Sequence, residues 1–398
     1  MKKKVKIILI TAVIIMITAI GWYIFKDKNE KALRIEHNIK TISLVVKENY
    51  STDPAHFKIT QSSLNDEEKH NSKILDDFLT THMMVDGGFV TNYKARKDQN
   101  KTELATGHDR LSESSGIWLR HLALKGTQKQ YDDFYHQVKK EFFAKGQFTY
   151  RINTDGSRSP VNASVDDMRI ICSLIEAQQR FKDPKYEKEI KKLVSTFKEQ
   201  SIQDGLLVNF YNVDTHQPAH KIAVYYLNIK QMGYIYKIAH LPQKDLEFEY
   251  HILKNAYISD AFPLYHTEYN YQNGEYEDGK NINIIESLLS ILYLSEIGQA
   301  KEQSIKFVKN AVITGTLYNA YNMNGTPADR SQSAASYAIA AMIGKEIGDN
   351  DLYQHAIQIV GNFQIKDPHS FLYGGIGDPN TLEVYSFNNL MAALAYDY

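Results

Sequence analysis

The chain has 398 residues, 43% hydrophobic and 23% charged, enough to bury at least one large core in one big domain or two ordinary ones. With 46 Lys and Arg against 47 Asp and Glu it carries no basic arm or acidic tail, which argues against polyanion binding by bulk charge and against a nucleic-acid partner. A single Cys rules out an internal disulfide and a multi-Cys zinc site, and the 14 His form no HExxH-like cluster, so no catalytic metal and no cofactor is expected.

In chain order, residues 1–6 form a lysine-rich tip with Lys2, Lys3, Lys4 and Lys6. An uncharged apolar run follows at 7–25, and nineteen residues at about 1.5 Å each nearly match the roughly 30 Å hydrocarbon core of a bilayer. Trp22 and Tyr23 stand where interfacial aromatics are expected, and the lysines should stay in the cytoplasm, which places the rest of the chain outside. The reading is an uncleaved signal anchor in the cell membrane. The alternative is secretion after signal cleavage, but the run exceeds a typical signal core and no clear small-x-small site precedes the aromatics. No Cys ends the run, which argues against lipoprotein processing. Residues 26–60 read as a polar stalk, and 61–398 as the main domain.

Within that domain, apolar residues at three- and four-residue spacing predict helices near 67–83, 113–125, 128–144, 166–181, 185–200 and 221–240. The pattern continues near 244–256, 281–298, 301–313, 331–347, 351–364 and 382–396. Strand-like alternation is short, as in "GQFTYRIN" and "GLLVNFYN", and "VDGGF", "NTDGSRSP", "YQNGEYEDG", "NMNGTPADR" and "YGGIGDPNT" punctuate the loops. Cys172, in "MRIICSLIEA", reads as a small buried hydrophobe. Roughly twelve paired helices without a low-complexity linker predict one all-α domain that can close into a toroid of inner and outer helices. An open solenoid is the alternative, but no fixed-period repeat supports it. In a closed helical barrel, functional residues belong at loop-to-helix junctions on one end.

Acidic residues occur at several such junctions. Glu113 lies between two serines in "RLSESSGIWLRHLAL"; Asp166 and Asp167 open "NASVDDMRIICSLIEA"; Glu275, Glu277 and Asp278 precede "NINIIESLLSILYL"; Asp86 sits in a glycine turn. The plain explanation for each is capping, with Ser112 a good N-cap and acids favoured in first turns by the helix dipole.

The order of these motifs resembles the family 8 glycoside hydrolases, whose fold is an (α/α)6 barrel. "LSESSGIWLRHLAL" is similar to that family's Ser-Glu-Gly opening of an inner helix, with Glu113 at the general-acid position and Ser114 in place of the glycine. "VDGGFVTNY" resembles the turn ahead of that motif. "ASVDDMRIICSLIEA" resembles the aspartate-led helix, which puts Asp167 on the aspartate that contacts the sugar at the cleavage point. "YEDGK" resembles Tyr-Asp-Ala-x-Arg, whose aspartate is the general base. Gapless alignment puts Glu277 there and a one-residue shift puts Asp278 there; Asp278 is favoured because family members use Asp. "LEVYSFNNLMAALAY" is similar to the family's last helix, and the likeness spans about 80–396, closest to the membrane-anchored branch of exopolysaccharide systems.

The resemblance implies a membrane-tethered, outward-facing glycosidase that cuts an exopolysaccharide or cell-surface polysaccharide, endo-acting and inverting, with Glu113 as acid and Asp278 as base. A helix N-terminus lowers a carboxyl pKa, so Glu113 needs burial or a like charge to stay protonated, and Asp167 is the expected neighbour. Candidate sugar contacts are Trp118, Asp166, Tyr211, Tyr276, Glu277, Arg330 and Tyr373, with Arg169 another group able to orient a carboxylate. The rival is a non-catalytic carbohydrate-binding or scaffold protein on the same barrel. A lyase or epimerase is a third reading, but no compact Tyr/His/Arg set supports it.

Overall fold

The computed structural model describes residues 64–95 and 105–398, all within the second of two units into which the chain divides, Tyr50–Tyr398. The expected lysine tip, the anchor at 7–25 and the stalk at 26–60 lie outside the described residues. Among the described residues no helix is long and apolar enough to cross a membrane.

Twelve α-helices occur among the described residues: α1 (Asp66–Phe78), α2 (Ser112–Lys125), α3 (Gln128–Phe142), α4 (Ser164–Phe181), α5 (Lys185–Ser201), α6 (Ile229–Ile238), α7 (Gln243–Asn255), α8 (Ile284–Glu296), α9 (Glu302–Thr314), α10 (Ala334–Glu346), α11 (Asn350–Asn362) and α12 (Ser386–Asp397). Odd and even members differ in what they bury. α3 and α5 bury a single stripe, Tyr131, Phe134, Val138 and Phe142 on the first and Tyr186, Ile190, Leu193, Val194 and Phe197 on the second. Their remaining positions are charged, as on an outer helix. α4, α8, α10 and α12 are buried almost all round, and α10 is covered without a break from Ala334 to Gly344. A helix apolar on every side has to be enclosed by others.

The even helices form a closed ring: α2 packs on α4, α4 on α6, α6 on α8, α8 on α10, α10 on α12, and α12 back on α2. α3, α5, α7, α9 and α11 each follow a ring helix after a short connection, and α1 packs on α12, so the predicted toroid is present and the open solenoid is not. Small residues permit close approach between neighbours. A Cβ on Gly116 of α2 would stand 3.1 Å from the Arg169 Cβ on α4.

One stretch departs from its predicted element. The pattern at 221–240 predicts one long helix, but Lys221–Ala223 is a strand paired with Glu268–Asn270, and Val224–Tyr226 is a 3-10 turn. α6 starts only after Asn228, whose side chain accepts a hydrogen bond from the Gln231 backbone at 2.9 Å. This third inner helix is therefore short, and the Val224–Tyr226 turn packs against α8.

Candidate active site

Glu113 is the second residue of α2. Its helix is capped by Leu111 without a side-chain hydrogen bond, so neither Ser112 nor Glu113 serves as the cap that the sequence allowed. Ser112 Oγ instead donates to Asp166 Oδ2 at 2.9 Å. Arg169 completes the group, with one guanidinium nitrogen 2.6 Å from Asp166 Oδ1 and 3.6 Å from Glu113 Oε1. The Glu113 backbone N–H also donates to Asp166. The Glu113 side chain keeps 29% of its surface exposed, against 6% for Asp166 and 14% for Arg169. It is the most exposed member of the cluster.

This placement resolves the conflict between a helix N-terminus and an acid that must hold its proton. Burial raises the Glu113 pKa to about 7, with Arg169 opposing the rise and Asp166 adding to it. The like charge that supports the proton belongs to Asp166. Asp167 faces elsewhere: Oδ1 accepts from the Phe148 backbone N–H at 3.2 Å and Oδ2 from Asn162 Nδ2 at 2.8 Å, in a buried setting that raises its own pKa. Adjacent residues on a helix point about 100° apart, so only one of the two aspartates can face the ring interior.

Below Arg169 a cavity of about 40 Å³ is lined by Arg120, Asn228, Tyr293 and Glu296 among others, room for about a single water. Tyr293 hydrogen-bonds Arg169 from this side. Beside the cluster stand Tyr225 and Tyr226, ring centroids 5.2 Å apart and nearly perpendicular. Tyr226 lies within electrostatic reach of Glu113, Asp166, Arg169 and Glu286, and Tyr225 within reach of Glu113, Glu286 and Glu268. The two tyrosines therefore lie near both Glu113 and a second bank of acids.

That bank holds Asp278, Glu286 and Glu268. Asp278 Oδ2 meets His266 Nδ1 at 2.5 Å and Oδ1 accepts from the Thr267 backbone N–H at 2.8 Å. Burial raises its pKa, but these hydrogen bonds and the His266 charge outweigh it and hold the carboxyl below the usual range. Glu286 lies in the first turn of α8, whose cap is Asn283. Burial, then Glu268 and Asp278, push its pKa up to about 7, with a Thr267 hydrogen bond opposing. Sequence reasoning missed Glu286; its signal was an acid three residues inside the otherwise apolar "NIIESLLSILYL". Tyr225 and Tyr226 were missed with it, hidden in a segment with helical periodicity.

The other candidates are placed as follows. Trp118 is buried at 3% exposure, stacked on His121 with centroids 4.3 Å apart and edge-on to Phe89, so neither ring face is open to a sugar. Tyr276 donates to the Ile252 carbonyl at 2.6 Å and stacks on His266, supporting the second bank from behind. Glu277 accepts from Asn270 Nδ2 at 2.8 Å and lies opposite Glu268 across a strand pair. Tyr211, half-buried in a hairpin, reaches His216 at 3.3 Å. Arg330 is exposed over the Tyr318 ring, and Tyr373 hydrogen-bonds His70 on the outer helix α1 at 3.2 Å. The structure brings together Glu113, Asp166 and Arg169, and, on the far bank, Asp278 with Glu286; Trp118 and Tyr373 stand apart from both.

No family model matches the chain. The predicted lipoprotein YdaJ of Bacillus subtilis (strain 168) is 25% identical over 326 residues, which cover 80% of this chain and 84% of that protein. A solved structure described as a novel alpha-amylase from Clostridium perfringens superposes with a TM-score of 0.75 at 28% identity, covering 82% of this chain and 97% of its own. PssZ from Listeria monocytogenes gives a TM-score of 0.62 at 19% identity, covering 86% and 97%. Endoglucanase Cel10 from Klebsiella pneumoniae, a family 8 glycosyl hydrolase, gives 0.56 at 13% identity, covering 81% and 97%.

Proposed function

We propose, from the premise that this chain has the (α/α)6 barrel of the family 8 glycoside hydrolases and resembles that family along most of its described length, that it hydrolyses glycosidic bonds within a polysaccharide. The observation that carries this reading is Glu113: a cleft carboxyl at an inner-helix start, uninvolved in capping, whose pKa burial raises to about 7. That is the state required of a group that gives a proton to a leaving oxygen near neutral pH. Asp166 supports the proton, and Arg169 holds Asp166 in place.

Hydrolysis also needs an ionised carboxylate across the cleft. With inversion, that group activates a water, and the carboxyl pair stands ≈ 6.5–9.5 Å apart to leave room for it. The family resemblance puts Asp278 at that position, and the second bank of acids surrounds it. Tyr225 and Tyr226, near both groups of acids, offer aromatic surface for a sugar ring.

The substrate class is an extracellular or cell-surface polysaccharide, cut internally, by a domain tethered outside the membrane through residues 7–25. The related YdaJ is named as a lipoprotein, which also supports attachment at a membrane. The test is a panel of purified polysaccharides, including α-glucans and bacterial exopolysaccharides, scored for new reducing ends. Release from at least one is expected; tight binding to a polymer with no release from any would favour a carbohydrate-binding protein on the same scaffold.

A further inference from the structure

The second bank carries two carboxyls in contrasting states, and the family resemblance picks the one whose chemistry suits the task less. Both Asp278 oxygens are already engaged, one by His266 Nδ1 and the other by the Thr267 backbone N–H. A carboxylate stabilised in that way gives up little on remaining ionised and gains little on taking a proton. Glu286 stands beside it on α8, a rigid inner-ring helix, and not on the loop that carries Asp278. Its carboxyl takes a hydrogen bond from the Thr267 side chain. The groups near it are Glu268 on a strand, Thr267 just before that strand, Asp278 just after the strand Glu275–Glu277, and Tyr225 and Tyr226 on the turn. Both tyrosines also lie within electrostatic reach of Glu113.

We propose that Glu286 is a catalytic residue, the group that accepts the proton of the attacking water, and that Asp278 is a positioning anion fixed beside it. This rests on the glycosidase reading. In the step, the water oxygen bonds to the anomeric carbon as the glycosidic C–O bond breaks. The leaving oxygen takes the Glu113 proton, and the water's proton passes to a Glu286 oxygen. The enzyme is left with Glu286 protonated and Glu113 ionised, and exchange with solvent resets both. The basicity fits: burial, Glu268 and Asp278 set Glu286 to titrate at about 7, near the operating pH at which a general base is most effective. Asp278, held low, supplies the negative charge that keeps Glu286 basic.

The full-length chain carrying Glu286→Gln, Asp278→Asn or Glu113→Gln tests this on a polysaccharide that the wild type cleaves, with pH–rate profiles, azide or formate added, and thermal melting as the folding control. Glu286→Gln is expected to lose roughly a hundredfold or more in turnover, to lose the acidic limb, and to be partly restored by azide or formate. Asp278→Asn is expected to keep measurable turnover with its acidic limb moved to lower pH, since removing a neighbouring negative charge lets Glu286 ionise more easily. Should Glu286→Gln fail to fold, Glu286→Asp reads the same point, with at least a tenfold loss expected. Near wild-type turnover in a folded Glu286 variant, with Asp278→Asn inactive and rescued by azide, would overturn the proposal and return the base to Asp278 while leaving the glycosidase reading intact. Undiminished cleavage by Glu113→Gln would remove that reading itself.

Discussion

Arg169 stands unevenly between two carboxyls, 2.6 Å from Asp166 and 3.6 Å from Glu113. Its charge restrains the rise that burial imposes on Glu113, so it sets how late the acid loses its proton as pH increases. Removing that charge should therefore raise the Glu113 pKa further. Arg169→Gln is expected to move the basic limb of the pH–rate profile up by about one pH unit, whereas Arg169→Lys keeps it near its original place. A basic limb that stays put in Arg169→Gln would show that the guanidinium does not reach Glu113 electrostatically. At this scale the sequence was legible for Glu113 and ambiguous next to it. Asp166 and Asp167 are the same residue type at adjacent positions, and only the rotation of α4 decides which one meets Ser112 and Arg169. Trp118 was open to misreading for a related reason, because an indole on a helix looks the same in sequence whether it faces a cleft or His121 and Phe89.

The elements that aim these side chains depend on tight backbone approaches. The turn "VDGG" ahead of α2 places Gly87 at φ +68°, where a Cβ would stand 2.7 Å from the Gln137 backbone on α3. Its carbonyl accepts from Ser115 Oγ at 2.9 Å, which ties the turn to the helix that carries Glu113. Gly87→Ala should cost about 1–3 kcal/mol from the left-handed backbone and the clash together, read as a lower melting temperature. An unchanged melting temperature would mean that α3 shifts freely and that the turn does not hold α2. Hydrophobic periodicity located the helices well because inner and outer faces impose it locally. It failed at 221–227 because the partners of that strand, Glu268–Asn270, lie more than forty residues away, beyond any local pattern. Glu286 was lost for a different reason: one acid in a first turn is ordinary helix chemistry, and only its neighbours Asp278 and Glu268 make it unusual.

Outside the site, Glu249, Glu296 and Asp76 are shifted in one direction. Burial pushes Glu249 up to about 8, against hydrogen bonds from the Leu207 N–H and the Tyr236 hydroxyl. Burial likewise takes Glu296 to about 7 and Asp76 to about 6. A carboxyl whose folded pKa is raised holds a proton that the unfolded chain has released, so its contribution is complete below the unfolded value and lost as pH rises through the folded one. His121 is raised as well: burial lowers its pKa, but Asp397 at 2.8 Å and Asp76 at 3.5 Å outweigh that, so its contribution also falls as pH rises. Each such group weakens stability by about 1.4 kcal/mol per pH unit within its own window. The lowered carboxyls Glu67, Glu187 and Glu302 act the other way but are solvent-exposed, where pairing contributes little. The melting temperature is therefore expected to fall between pH 5.5 and pH 8.5, and Glu249→Gln, which needs no proton, to flatten that fall. A melting temperature that rises over the same interval would contradict this account of the core.

The glycosidase assignment rests on one carboxyl holding its proton at the mouth of the ring. The most direct measurement is the rate of reducing-end release from a cleaved polysaccharide by the wild-type chain and by Glu113→Gln, each shown by melting to be folded. The account predicts a loss of roughly a hundredfold or more with polymer binding retained; equal rates from the two proteins would contradict it.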